Sequence, residues 1–335
     1  MKTYILGAGS SCEFGYPLGK DIFPKAKEMA CSKQLAEQSK KARHLPMAFE
    51  KVKFNMKQLL PGLPEDLHKW PTFEELYSFI DRELSKPKDV RINGITEEFR
   101  SDLKTMLFFT ISVCGFKPFI DDHELSDIYT ACIKKTLKDE QVNFITFNYD
   151  VLLPYALKEV SVTPDYGYPC YDADSDEEDK ILDFGDRKVN VVLPHGAINL
   201  ADCPSCKRRY FSIDPFTARI KNLRANCPEC DMSLIDDFLI PPSFNKYIEN
   251  ANDASRIIKH ITEAREIFIV GYSFPSYDYY TRILFLHALA KNPHNPRIYI
   301  IDVVDQPTAK KMFDFIDTER YTVEFYLDGF MNFLS

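Results

Sequence analysis

Six short runs of this chain, 3–6, 143–147, 189–193, 266–270, 297–302 and 322–327, are mostly apolar on successive residues rather than on alternate ones. Alternation would leave one strand face for water, so continuous apolar runs predict strands buried on both faces. Such burial requires helices above and below the sheet. Helical patterns do lie between several of the runs, over 254–264 and 279–291 for example. The economical reading is α/β: a Rossmann-like, doubly wound parallel sheet of about six strands covered by helices.

A length of 335 residues at 45% hydrophobic content suits one large domain with insertions or two ordinary domains. The segment 23–140 is too long for one crossover, and its periodicity is helical. Phe73, Leu76, Tyr77 and Ile80 form a stripe behind a Thr72-x-x-Glu75 capping box, and Leu125, Ile128, Tyr129, Cys132 and Ile133 form another. These aromatic and aliphatic residues read as core. The expected organisation is a Rossmann-like domain from 1–22, 141–200 and 239–335, a helical insertion at 23–140, and a small separate module at 201–238. Asp172, Asp174, Asp176, Glu177, Glu178 and Asp179 read as a flexible acidic surface loop.

A net charge of −8 argues against a broad nucleic-acid footprint, and Lys207-Arg208-Arg209 reads as a solvated loop. No run reaches the roughly 18 apolar residues of a spanning helix, and Met1-Lys2-Thr3 leads directly into a strand. A cytoplasmic protein without a membrane partner is expected. Of nine cysteines, four fall in Cys203-x-x-Cys206 and Cys227-x-x-Cys230, separated by 20 residues. This is the spacing of a zinc ribbon, in which four thiolates close a structural tetrahedral Zn²⁺ site. Two redox dithiols fit the spacing less well. Cys31, Cys114, Cys132 and Cys170 read as reduced thiols, and Cys12 is assigned no role.

The first strand runs into Gly7-Ala8-Gly9, but Ser10, Ser11 and Cys12 follow where the G-x-G-x-x-G fingerprint requires its third glycine. A strand, a glycine turn and a helix N-terminus would direct backbone N–H groups at a diphosphate. Three more polar stretches, ITFNYD, LPHG and GYSFP, each end a predicted parallel strand. Ligands of such sheets collect at the carboxyl ends of strands, so the four stretches point into one crevice.

These stretches and the paired cysteines resemble the sirtuin (silent information regulator) family in order and placement. Gly7, Ala8, Gly9 and Ser11 match Gly-Ala-Gly-x-Ser. Thr146, Asn148 and Asp150 match Thr-Gln-Asn-x-Asp, with Phe147 in place of the glutamine. His195-Gly196 matches the His-Gly, and Gly271-Tyr272-Ser273 is similar to Gly-Thr-Ser. The resemblance implies NAD⁺ as substrate, cleavage of its nicotinamide–ribose bond, and a structural zinc module beside the crevice. Asn148 would orient the ribose or a water. Asp150 would stabilise the developing positive charge or hold the carboxamide, and His195 would be the general base. Ser11 and Ser273, with the amides of Gly9 and Gly271, would bind the diphosphate, with Gly7, Ala8 and Thr146 in the same cofactor-binding set. Asp302 would accept from the adenosine ribose or serve as an ordinary strand-end cap.

Departures from the pattern narrow the reaction. Gly15-Tyr16-Pro17-Leu18-Gly19-Lys20 lacks the phenylalanine and arginine that cover the nicotinamide ribose in deacylating sirtuins. The segment 238–244 replaces the strand that pairs with an acyl-lysine peptide, and Pro241-Pro242 removes two backbone donors there. The altered pattern resembles the sirtuin-like NAD⁺ hydrolase branch of bacterial anti-phage defence. It implies an NAD⁺ glycohydrolase giving nicotinamide and ADP-ribose, acting as a homo-oligomer or beside a sensor or activator protein. The alternatives are an NAD-dependent protein deacylase (deacetylase) acting on acylated peptide and a non-catalytic NAD or ADP-ribose-binding module.

Overall fold

The computed structural model describes residues 1–32, 44–115, 123–138, 141–173, 175, 180–212, 227, 229–232, 239, 241 and 251–334. Among these residues ten strands are numbered in chain order. The main sheet contains β1 (Lys2–Leu6), β2 (Val142–Thr146), β3 (Val162–Asp165), β5 (Arg187–Val192), β8 (Glu266–Val270), β9 (Arg297–Ile301) and β10 (Val323–Tyr326). β4 (Cys170–Asp172), β6 (Leu200–Asp202) and β7 (Arg209–Phe211) form a second sheet of three strands.

The main sheet has the order β10-β9-β8-β1-β2-β5-β3, and its pairings are all parallel. The continuous apolar runs are explained by its two cores. Tyr4, Leu6, Phe144, Phe268 and Val270 belong to one buried cluster, which they share with residues of helices Ile22–Ala30, His44–Leu59, Phe73–Leu84 and Glu97–Cys114. The intervening Ile5, Ile145, Ile267 and Ile269 belong to the other, with Ile257 and Ile261 from helix Ala251–Thr262 and Phe285 from helix Tyr279–Lys291. Successive side chains on a strand point to opposite faces, so β1, β2 and β8 each feed both cores.

The sheet has seven strands among the described residues, not six. The additional one, β3, reads Val-Thr-Pro-Asp, and a proline there looks like a turn in sequence. The fold tolerates it because β3 is an edge strand, where a missing N–H need not face a partner. Strand ends also shift by a residue or two from the expected bounds, and the helix expected at 254–264 spans Ala251–Thr262. Thr72 and Glu75 do form a reciprocal capping box, and Phe73, Leu76, Tyr77 and Ile80 are all buried. No helix among the described residues is long and apolar enough to cross a membrane. Within the acidic run, 174 and 176–179 lie outside the described residues, as do 238, 240 and 242–244 of the segment after the cysteine module.

From β1 the chain passes to β2 on one side of the sheet, and it later fills the other side through β8, β9 and β10. β1 and β8 are therefore neighbours whose following connections diverge. This is the topological switch point, where open α/β sheets form a crevice.

Candidate functional site

Beyond β1 and β8 two glycine turns touch backbone to backbone. Gly7 N–H donates to Val270 O and Gly9 N–H to Gly271 O, both at 2.9 Å. A Cβ on Gly271, whose φ is +57°, would lie 2.3 Å from Ser10 N and 2.4 Å from Gly9 C. A Cβ on Gly7 would lie 2.5 Å from Gly271 O. The close approach that a third glycine provides in the dinucleotide fingerprint is supplied here from the opposite loop.

One expectation is corrected. The helix after the glycine turn is a single turn, Gly9–Cys12, and the amides expected to hold a diphosphate are committed within the fold. Gly9 N–H donates to Gly271 O, and Gly271 N–H donates to Ile301 O at 2.9 Å. These glycines supply close packing rather than donors.

A cavity of about 360 Å³ opens at this point. Ala8, Gly9, Ser11, Asn148, Asp150, His195, Gly271, Ser273 and Asp302 line it, together with Lys20, Glu74 and Tyr149. Of the expected site residues, Gly7 packs behind the lining and Thr146 accepts the backbone N–H of Asn148 at 3.2 Å. Ser273 is exposed, and Asp302 directly follows β9 with its Oδ1 accepting from Val303 N–H at 2.8 Å. Burial raises the Asp302 carboxyl above its ordinary range, against that hydrogen bond.

Asn148 is buried, and its amide N–H₂ donates to Ser10 Oγ at 3.0 Å and Ser11 Oγ at 2.9 Å. Ser11 Oγ donates onward to Asp150 Oδ2 at 2.6 Å, and Asp150 Oδ1 accepts from Leu152 N–H at 2.9 Å. Burial raises the Asp150 carboxyl, while these hydrogen bonds oppose the shift. With both amide hydrogens engaged, Asn148 is held in one orientation, and its Oδ1 is buried without a partner. Ser10, which the sequence reading treated as a spacer, is thus part of the network.

His195 sits in the turn after β5, which Gly196 N–H closes onto Leu193 O at 2.9 Å with Gly196 at φ +69°. Its Nε2 lies 3.2 Å from Asp278 Oδ2. Asp278 also accepts from Thr281 Oγ1 at 2.8 Å and from the Tyr272 hydroxyl. Burial would raise the Asp278 carboxyl, but its pairing with His195 and these hydrogen bonds outweigh it and the pKa is lowered. A neutral imidazole donating from Nε2 has its other nitrogen as a proton acceptor. Phe147, the departure from the family motif, stacks on Tyr272 at 4.2 Å and meets His195 edge-on at 5.0 Å. The sequence reading missed Asp278 and Glu74. Neither stands at a motif spacing, and Glu74 adjoins the Glu75 that explains the capping box.

The four paired cysteines come together in the second sheet. Cys203 and Cys206 occupy the turn between β6 and β7, and Cys227 and Cys230 a second turn. Their Sγ atoms lie within 4.8 Å of one another, with Cys203 and Cys230 at 3.4 Å and Cys206 and Cys227 at 3.6 Å. Zn–S bonds of about 2.3 Å in a tetrahedron place sulfurs roughly 3.8 Å apart. Four cysteines at this spacing fit zinc and fill its coordination, so the role is structural.

No protein-family model matches the chain, and no curated protein does. Solved structures similar to it include Sir2Tm bound to a propionylated peptide, at 14% identity and TM-score 0.41, covering 100% of this chain and 90% of that one. A structure addressing sirtuin substrate affinity matches at 15% identity and TM-score 0.42, covering 100% of this chain and 91% of that one. Sir2 in complex with the inhibitor EX-527, 2′-O-acetyl-ADP-ribose and deacetylated p53 peptide matches at 14% identity and TM-score 0.39, covering 100% and 90%.

Proposed function

We propose that this protein is an NAD⁺ glycohydrolase that cleaves the nicotinamide–ribose bond with water, giving nicotinamide and ADP-ribose. The observation that supports this most is the side-chain network of one cavity, in which Asn148, Ser11 and Asp150 are joined by hydrogen bonds and His195 is held by Asp278. The cavity lies at the switch point of a parallel sheet, where dinucleotides bind in such folds. Lys20 and Ser273 on its lining suit a diphosphate.

Loss of neutral nicotinamide leaves an oxocarbenium-like centre at the ribose C1′. The unpartnered Oδ1 of Asn148 accepts a hydrogen bond from the attacking water and orients it. As the C1′–O bond forms and the bond to nicotinamide breaks, His195 takes the water's proton, and Asp278 stabilises the resulting imidazolium. Asp150 holds Ser11, and through it the amide of Asn148. Zinc-bound Cys203, Cys206, Cys227 and Cys230 take no part in the step.

The test is NAD⁺ turnover by zinc-loaded protein, with and without an acetyl-lysine peptide. ADP-ribose should form without peptide, and His195→Ala should slow it roughly 10²- to 10⁴-fold. Formation of O-acyl-ADP-ribose only with peptide would establish the deacylase instead. NAD⁺ binding without turnover, unchanged in His195→Ala, would establish a binding module. A role in anti-phage defence, through assembly or a sensor protein, belongs to the same proposal. It predicts that infection of cells making the protein depletes NAD⁺, and that His195→Ala abolishes the depletion.

A further inference from the structure

Four side chains that line the cavity each carry a buried polar atom without a hydrogen-bond partner: Tyr16 Oη, Glu74 Oε2, Asn148 Oδ1 and Tyr149 Oη. Buried polar groups are nearly always satisfied, and leaving one unpaired is costly. Their collection around one cavity points to a polar ligand. Glu74 is the one carboxyl among them.

Glu74 comes from the first turn of helix Phe73–Leu84 and is 6% exposed. Its carboxylate occupies space that a side chain at position 19 would claim, since a Cβ on Gly19 would lie 2.8 Å from both of its oxygens. Tyr149, whose electrostatic surroundings include Glu74, stacks against His195 at 6.1 Å between ring centroids. Glu74 therefore belongs to the His195 end of the cavity. Burial pushes its pKa up to about 7.

Building on the glycohydrolase reading, we propose that Glu74 is a substrate-contacting residue whose unpartnered oxygen accepts a hydrogen bond from a hydroxyl of the ribose that carries the scissile bond. A carboxylate is acceptor-only, and sugar hydroxyls are donors that match it. In its ionised form it also lies near the carbon where positive charge develops, and favours that charge. The helices between β1 and β2 thus contribute to the reacting end.

Binding of carba-NAD⁺, an analogue whose glycosidic bond is not cleaved, tests this by calorimetry on wild type and Glu74→Gln. Loss of a charge-assisted hydrogen bond should weaken binding roughly 10- to 100-fold, and ADP-ribose, which keeps the hydroxyls, should weaken in parallel. Wild-type affinity should also rise with pH through about 7, a limb that Glu74→Gln should lack. The groups around the carboxyl are Glu75 on its own helix, Lys20 of the adjoining loop, and Tyr149 and Tyr277, whose hydroxyls burial keeps neutral. The wild-type pH series needs no variant. Equal, pH-independent affinity in both proteins would overturn the assignment while leaving the glycohydrolase reading intact. Weakened carba-NAD⁺ with unchanged ADP-ribose would move the contact to nicotinamide and overturn the ribose assignment. Wild type that binds neither compound would remove the glycohydrolase reading itself.

Discussion

The two walls of the cavity are built on opposite plans. Where β1 meets β8, backbone lies against backbone, and the N–H groups of Gly7, Gly9 and Gly271 all have partners within the fold. The rest of the lining is made of side chains, and Tyr16, Glu74, Asn148 and Tyr149 leave polar atoms unpartnered. The first wall is optimised for packing and the second is held at a cost to stability. That is the pattern of a site whose polar groups are completed by a ligand.

The backbone wall is the more fragile of the two. Gly271→Ala would drive a Cβ into Ser10 and Gly9 at a positive φ. Since only backbone movement relieves that contact, we expect a loss of roughly 4 kcal/mol or more, read by urea denaturation or as failure to accumulate folded protein. At the other wall, Asp278→Asn removes the charge from a buried pair with His195. It should cost roughly 3 kcal/mol in the same assay. It should also lower turnover, because His195 loses the group that stabilises its protonated form.

Glu74→Gln should have the opposite sign. The folded-state pKa of about 7 lies above the ordinary value of 4.5, so the folded protein holds a proton that the unfolded chain has released between these values. Stability therefore falls as pH rises through this window. The variant should match wild type below about pH 4.5 and exceed it by roughly 3 kcal/mol above pH 7. Thermal melting across that range would show it, and a variant less stable than wild type at pH 8 would mean that Glu74 is a structural group. The smallest effect belongs to Phe147→Leu, which removes the stack on Tyr272 at 4.2 Å but keeps an apolar group. About 1 kcal/mol should be lost, by the same melting assay.

Much of the backbone wall was legible in the sequence. Continuous apolar runs marked both-face burial, and Gly7-Ala8-Gly9 and Gly271 stood at the ends of two of those runs. The cysteine pairs could be read because metal coordination fixes local spacing. Other features depend on tertiary proximity, which spacing does not encode. Asp278 meets His195 only when the turn after β8 folds beside the turn after β5, and Glu74 reaches the cavity because Gly19 has no side chain. Edge strand β3 was hidden by Pro164, which resembles a turn residue until its place in the sheet is known.

Water attack on C1′, in the cavity that Asn148, Asp150 and His195 line, is the step on which the proposed activity turns. It is tested most directly by NAD⁺ turnover in ¹⁸O-labelled water without any peptide, the products being read by mass spectrometry. The proposed hydrolysis gives free nicotinamide and ADP-ribose carrying the heavy oxygen at C1′, with both lost in Asn148→Ala. Zinc-loaded protein that releases no nicotinamide, or releases it only as an acylated peptide transfers its acyl group to ADP-ribose, would contradict it.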